Sequence, residues 1–287
     1  MLGLCVLAVA YLGVLGLGLA ALLELERSGP RVACVIVSNA DDLAFAAETL
    51  RATRGVFAET AVAVGTRSWD YAVPEDPAAV ATFERDHVWN FPDVRLVRYE
   101  VAPEAKDPVA ARRVSDHMYW EAHARRAALR ALRERWDYVV LLDADEVLDG
   151  RALAAWLRGG ELTRYRAVTL RNYWYFRERR YRAVNYEEDS VVVLARGAFA
   201  EHDLFADGAR SQIFERAAGP KARRVGPAEP MVHHYSWVRS EDAMLRKVRA
   251  WGHRGERDWE ELVRAEFRGP FRGTDFVKGL RYVDLDA

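Results

Sequence analysis

The segment Tyr138-Val-Val-Leu-Leu-Asp-Ala-Asp-Glu-Val-Leu148 limits the architecture more than any other part of the chain. An uninterrupted apolar run stops at Asp143 and Asp145, one residue apart, with Glu146 next. A run of this kind, bounded by charge, reads as a strand buried on both faces, as in the middle of a parallel sheet. Ligands of open α/β sheets sit outside the carboxyl ends of such strands. The acidic cluster therefore falls where chemistry is expected. Asp143 and Asp145 are spaced to converge on one divalent cation, and a carboxylate site of this type suits Mg²⁺ or Mn²⁺ bridging to phosphates.

The segments before the pair agree with that architecture. Residues 31–38 read as a buried strand, and Asn39-Ala-Asp-Asp42 as a turn and helix cap. Residues 43–54 have helical periodicity, with Leu43, Ala46, Ala47 and Leu50 on one face. Residues 60–65 and 94–99 give two more strands, separated by an irregular aromatic stretch broken at Pro74, Pro77 and Pro92. A long Arg-rich helix over 116–135 then leads into the strand that carries the pair. Strands alternating with helices predict an α/β fold with a mostly parallel, Rossmann-like sheet flanked by helices. Beyond Gly150, residues 166–170, 190–194 and 231–237 are strand-like, and 242–251 and 258–267 helical. An aromatic block, Tyr173-Trp-Tyr-Phe176, lies between the first two of those strands.

Residues 2–23 contain no charge. As a helix they would extend roughly 33 Å, enough to cross a bilayer core. The run is long for the apolar part of a signal peptide and lacks a basic leader, while Ala20-Ala21 offers small residues near a cleavage site, so a cleaved signal peptide is the alternative reading. The expected organisation is a transmembrane anchor over 1–24, a linker over 25–30 and one catalytic domain over 31–287. Localisation follows as a single-pass membrane protein: type II in the Golgi or endoplasmic reticulum if eukaryotic, in the cytoplasmic membrane if bacterial. A net charge of -1 gives no global attraction to nucleic acid. Cys5 and Cys34, the only cysteines, make neither a disulfide framework nor a metal site.

In order and spacing the chain resembles GT-A-type glycosyltransferases, in the broad family 2 sense. The resemblance rests on a first strand ending in Ser38-Asn39, an amphipathic helix, a second strand ending at Gly65, an apolar strand ending in Asp143-Ala-Asp145, and the late Val232-His-His-Tyr-Ser-Trp237. It covers most of residues 31–251. One departure is the turn after the second strand, Gly65-Thr-Arg-Ser-Trp69, where family 2 usually has an Asp-Gly-Ser type turn. The resemblance implies a nucleotide-sugar donor, Mn²⁺ or Mg²⁺, and a glycan, glycoprotein or glycolipid acceptor. It implies metal ligation by Asp143, Asp145 and a late histidine. Alternation along 231–237 puts His233 and His234 on opposite faces, and His234, on the smaller face with Val232 and Ser236, is the expected ligand. Ser38, Asn39, Asp143, Asn172, Trp174 and Arg210 are the expected substrate-binding residues, with the aromatic block offering faces for sugar rings. Lys221 and Lys247 are further cations for a diphosphate.

An inverting transferase needs a carboxylate base. Glu187, Glu188 and Asp189 form the densest acidic group outside the pair, with Asp203 and Asp207 as rivals. Two other classes fit part of the pattern. Asp-Ala-Asp-Glu-Val147 matches the signature of haloacid-dehalogenase-like phosphatases, in which Asp143 would be the nucleophile. An inactive sugar-binding relative would keep the aromatic residues without binding a nucleotide.

Overall fold

In the computed structural model, the described residues form eleven strands of one mixed sheet flanked by helices on both faces. The structure describes residues 29–287 except 113, 206–209, 219–221 and 224–228, and the side chains of 188–190, 218, 222 and 223 are likewise outside the description. The expected anchor over residues 2–23 lies outside the described residues. Among the described residues no helix is long and apolar enough to cross a membrane. Arg31–Ala287 makes one compact unit.

In chain order the first half is β1 (Val32–Ser38), α1 (Leu43–Ala52), β2 (Glu59–Gly65), α2 (Pro77–His87), β3 (Val94–Tyr99), α3 (Asp116–Ala131) and β4 (Tyr138–Asp143). Then come β5 (Glu146–Leu148), α4 (Gly150–Arg158), β6 (Ala167–Phe176), β7 (Glu178–Ala183) and β8 (Glu187–Ala195). The chain continues through α5 (Arg210–Ala218), β9 (Ala222–Arg223), β10 (Val232–Trp237), α6 (Glu241–Ala250), α7 (Trp259–Phe267) and β11 (Tyr282–Asp284). The hydrogen-bonded order is β11-β7-β6-β8-β4-β1-β2-β3, with β10 pairing β5 and β6.

The first four strands are parallel to one another. Every residue of β1 and β2 is buried, as expected of strands covered on both faces. One face packs Ile36, Val62, Val140 and Leu142 against α1 and α4. The other packs Val35, Ala63 and Leu141 against Trp120 and Ala124 of α3 and Ile213 of α5. The sheet changes character at β8, which runs antiparallel to both β4 and β6. A separate aromatic cluster joins Trp174 and Phe176 of β6 to Trp237, Met244, Val248 and Trp259.

Three expectations change. The stretch expected to be irregular contains α2, whose Pro77 occupies the first turn, where a missing N–H costs nothing, under a cap from the Asp76 side chain. The aromatic block is the second half of β6, not a connection after it. The long helix ends at Ala131, short of Arg135.

One close approach holds the segment that follows the acidic pair. A Cβ on Gly150 would lie 1.7 Å from the carbonyl oxygen of Ala52, so α4 starts against the end of α1 only because this position is glycine. Thr49 of α1 completes the junction by accepting the Leu148 N–H at 3.3 Å.

Candidate active site at the carboxyl edge of the sheet

The end of β4 brings three acids to one edge, and each is held differently. Glu146 is fully buried. It accepts the Asp143 N–H at 2.8 Å and pairs with Arg210. Burial pushes its carboxyl up, with Arg210 opposing. Asp143 is the open member, its side chain 36% exposed, with Oδ1 3.3 Å from Arg125 and Oδ2 3.1 Å from Arg210.

Asp145 is 9% exposed, with Oδ2 3.3 Å from Arg239 and 3.6 Å from Lys247. Its Oδ1 stands 3.7 Å from His234 Nε2. Burial alone would raise this carboxyl, but Lys247, His234, Arg239 and Arg210 outweigh it and hold the group well below the usual range. Arg239 is anchored from its other side by Asp42, 2.6 Å away. Burial and the neighbouring Arg239 lower the Lys247 ammonium.

The adjacent histidines of β10 separate as alternation requires. His233 turns into an aromatic group with Tyr173, Tyr175 and Tyr235, with its Nδ1 2.8 Å from the Tyr175 hydroxyl. Burial lowers its ring. His234 faces the acids, with Nδ1 2.7 Å from Glu187 Oε2 and Nε2 toward Asp145. Burial would discharge this ring, but Glu187, Glu146 and Asp145 raise its pKa. The pairing of β10 with β6 skips a residue, from His234↔Trp174 to Trp237↔Phe176. That bulge puts His234 and Trp237 on one face although three positions separate them.

Other expected residues are placed as follows. Ser38 ends β1 opposite Val64, and its hydroxyl donates to the Asn39 carbonyl at 2.8 Å. Asn39 is taken up as a helix cap, accepting the Asp42 N–H at 3.1 Å and donating to the Asp42 carboxylate at 2.8 Å. Asn172 is fully buried in β6, and Trp174 is 4% exposed with its ring edge-on to His234 at 4.6 Å. The expected open aromatic platform is therefore not formed by Trp174, because β6 carries it into the core. Arg210 is buried and bound to Glu146, Asp143 and the Leu141 carbonyl, which makes it a brace for the acids rather than an open binding group.

Glu187 is not placed as a base. One oxygen takes His234 and the other Lys278 at 2.6 Å. Burial raises its carboxyl, but His234 and Lys278 bring it down to about 2, far from a proton acceptor's useful range at neutral pH. Glu188 and Asp189 lie on β8, but their side chains are outside the described residues, as are Asp207 and Lys221. Asp203 accepts the Ala200 N–H at 2.7 Å and lies 3.7 Å from Arg216. Sequence reasoning read Asp42 only as part of a turn and cap and did not single out Arg239 or Lys278; all three join the site only through the fold.

Among the described residues no three His, Cys, Asp or Glu side chains group as a metal site. The spacing of Asp145 and His234 would suit two ligands of one ion once the His234 ring has given up its Nε2 proton. Their 3.7 Å separation is too long for a hydrogen bond and less than twice a bond of ~2.1 Å. Hard ions such as Mg²⁺ fill their other positions with water and phosphate oxygens. A cleft of about 1170 Å³ lies at the opposite end of β4, lined by Arg130, Arg133, Trp136 and Gly197 among others, and takes no part in this arrangement.

No protein-family model matches the chain, and no curated protein matches it. Among solved structures it is similar to S. aureus TarS 1-349, at 11% identity and a TM-score of 0.41, covering 76% of this chain and 64% of that one. It is similar to the galactosyltransferase LgtC in complex with donor and acceptor sugar analogs, at 10% identity and a TM-score of 0.40, covering 83% and 97%. The bifunctional glycosyltransferase WbbM is similar at 11% identity and a TM-score of 0.41, covering 84% of this chain and 52% of that one.

Proposed function

We propose that the chain is a metal-dependent glycosyltransferase that takes a sugar from a nucleotide-sugar donor to a glycan, glycoprotein or glycolipid acceptor. Residues 2–23 would anchor it in a membrane. The observation that carries the reading is the facing pair Asp145 and His234 at the carboxyl edge of β4, with Lys247 and Arg239 beside it.

Each group has a task in such a transfer. Breaking the sugar–phosphate bond leaves negative charge on a nucleoside diphosphate, and preorganised positive charge lowers that barrier. Asp145 and His234 would hold Mn²⁺ or Mg²⁺, which when bound supplies Lewis-acid neutralisation of that charge. Asp145 stays ionised because its neighbours keep its carboxyl low. Arg239 holds fixed positive charge at the same carboxylate with Lys247 beside it, and Asp42 keeps Arg239 from swinging away. Arg125 and Arg210 steady Asp143 at the opening. Glu188 and Asp189 are the candidates for the acceptor's base. The phosphatase alternative asks Asp143 to attack, yet each of its oxygens meets a guanidinium, a poor setting for a nucleophile.

A screen of nucleotide-sugars tests the proposal. Donor hydrolysis releasing nucleoside diphosphate, dependent on Mn²⁺ and stopped by chelation, is expected. Phosphate release from a simple ester, or glycan binding without any donor turnover, would overturn it.

A further inference from the structure

A metal-binding His234 needs its ring aimed at the ion. Imidazole offers a cation a lone pair only from an unprotonated nitrogen, so a metal ligand needs its other nitrogen fixed as a donor. Glu187 Oε2 sits 2.7 Å from His234 Nδ1, which leaves Nε2 toward Asp145. The second oxygen of Glu187 meets Lys278 Nζ at 2.6 Å. A line of charge thus runs from Lys278 through Glu187 and His234 to Asp145.

The far end of that line is itself held. Asp275, 3% exposed, accepts the backbone N–H groups of Val277, Lys278 and Gly279 on one oxygen, and the Leu280 N–H and the Tyr282 hydroxyl on the other. Five donors on one carboxylate fix the turn that presents Lys278. Trp174 fills the space within: Lys278 lies 4.1 Å over its ring, and its ring meets His234 edge-on. Nothing in this line is near in sequence, since Lys278 bonds a residue 91 positions away.

We propose that Glu187 and Lys278 are positioning residues that fix the His234 tautomer and orientation, and so set the affinity for the divalent cation. This rests on the metal reading. Carboxylate partners of metal-bound histidine typically change metal affinity by about 10- to 100-fold.

The test is a Mn²⁺ titration of the full chain in detergent, without donor, followed by electron paramagnetic resonance of free Mn²⁺. Glu187→Ala should weaken binding about 10- to 100-fold. Glu187→Gln should fall between, because an amide oxygen still accepts the Nδ1–H but carries no charge. Lys278→Met should weaken binding less than Glu187→Ala, and Lys278→Arg should restore it. Thermal melts in chelator should show the variants folded. Equal Mn²⁺ affinity in wild type and Glu187→Ala would overturn this inference and leave the metal reading standing. A wild type that binds no Mn²⁺ would overturn both. Should Glu187→Ala not fold, nitrogen-15 spectra of histidine-labelled wild type with Cd²⁺ decide. A neutral His234 protonated at Nδ1 supports the inference, and a ring protonated on both nitrogens at saturation sinks it.

Discussion

The two halves of the sheet meet at β4 and differ in what they contribute. The parallel half, β1 to β4, is continuous apolar packing that ends in acids. The half built from β6, β8 and β10 with α6 and the segment after α7 supplies His234, Glu187, Arg239, Lys247 and Lys278. One half is a support with an acidic rim, and the other carries the groups that meet the rim. The acids of the site and the groups that meet them therefore come from different stretches of chain.

Asp145→Asn tests the rim and should have the largest effect. Donor turnover should fall by roughly 10²- to 10³-fold, the scale seen when a preorganised charge-stabilising group is removed. Because the carboxylate is buried among Arg239, Lys247 and His234, stability should fall too, by about 3 kcal/mol. A urea melt alongside the kinetic assay measures both. Turnover at the wild-type rate would detach the rim from the chemistry. Gly150→Ala tests the support. The backbone clash with Ala52 should cost upwards of ~3 kcal/mol, and the same melt would reveal it. A melt unchanged by that methyl would show that the α1–α4 junction does not brace the half at all.

The paired histidines sharpen the contrast within one strand. His234→Ala should weaken Mn²⁺-dependent turnover by roughly 10- to 100-fold, whereas His233→Ala should remove aromatic packing and spare the metal dependence. The reverse order in a metal titration would move the ligand to His233. The smallest effect is in pH. Burial, with Arg126 and Arg130, lowers His123 of α3 from 6.5 to about 4. The unfolded ring takes up a proton that the folded ring refuses, so its stabilisation is complete above pH 6.5 and is lost as pH falls toward 4. His234 has the opposite sign: its raised pKa gives stability below 6.5 that disappears as pH rises through the raised value. His123→Phe should flatten the acid limb of a pH–stability profile and leave the alkaline limb alone, and an unchanged acid limb would refute the assignment.

The parallel half was legible because each of its strands is buried on both faces and so reads as an apolar run. The placement of Asp145 just past a strand end, and of His234 on the face opposite His233, was legible for a related reason: one follows such a run, and the other sits in a short alternating strand. α2 was hidden by Pro77, which looks like a break until Asp76 is seen to cap the turn behind it. β7, with Arg179, Arg180 and Arg182, pairs as a strand although its composition has no apolar alternation. The role of Glu187 was not legible, because a carboxylate's task depends on its neighbours. Its two partners are 47 and 91 residues away. Asp42 and Arg239 are likewise ordinary surface residues by sequence, and only folding brings them together beside Asp145.

The skipped residue in β10 makes that strand unusually sensitive to length. With the bulge, His234 and Trp237 share a face, one serving the acids and the other the aromatic cluster. Removing a single residue at Tyr235 or Ser236 would return the strand to strict alternation and shorten the interval to two. The face would be kept, but the seat of Trp237 opposite Phe176 would be regained only with the bulge's kink gone and the Tyr235 N–H bond to the Asp145 carbonyl broken. Inserting a residue there would instead leave two residues of β10 for the pairing with β6 to skip. Substitutions in this stretch change what the strand touches, whereas insertions and deletions change its length against β6. Chains descended from this one should therefore vary here in residue type long before they vary in residue count.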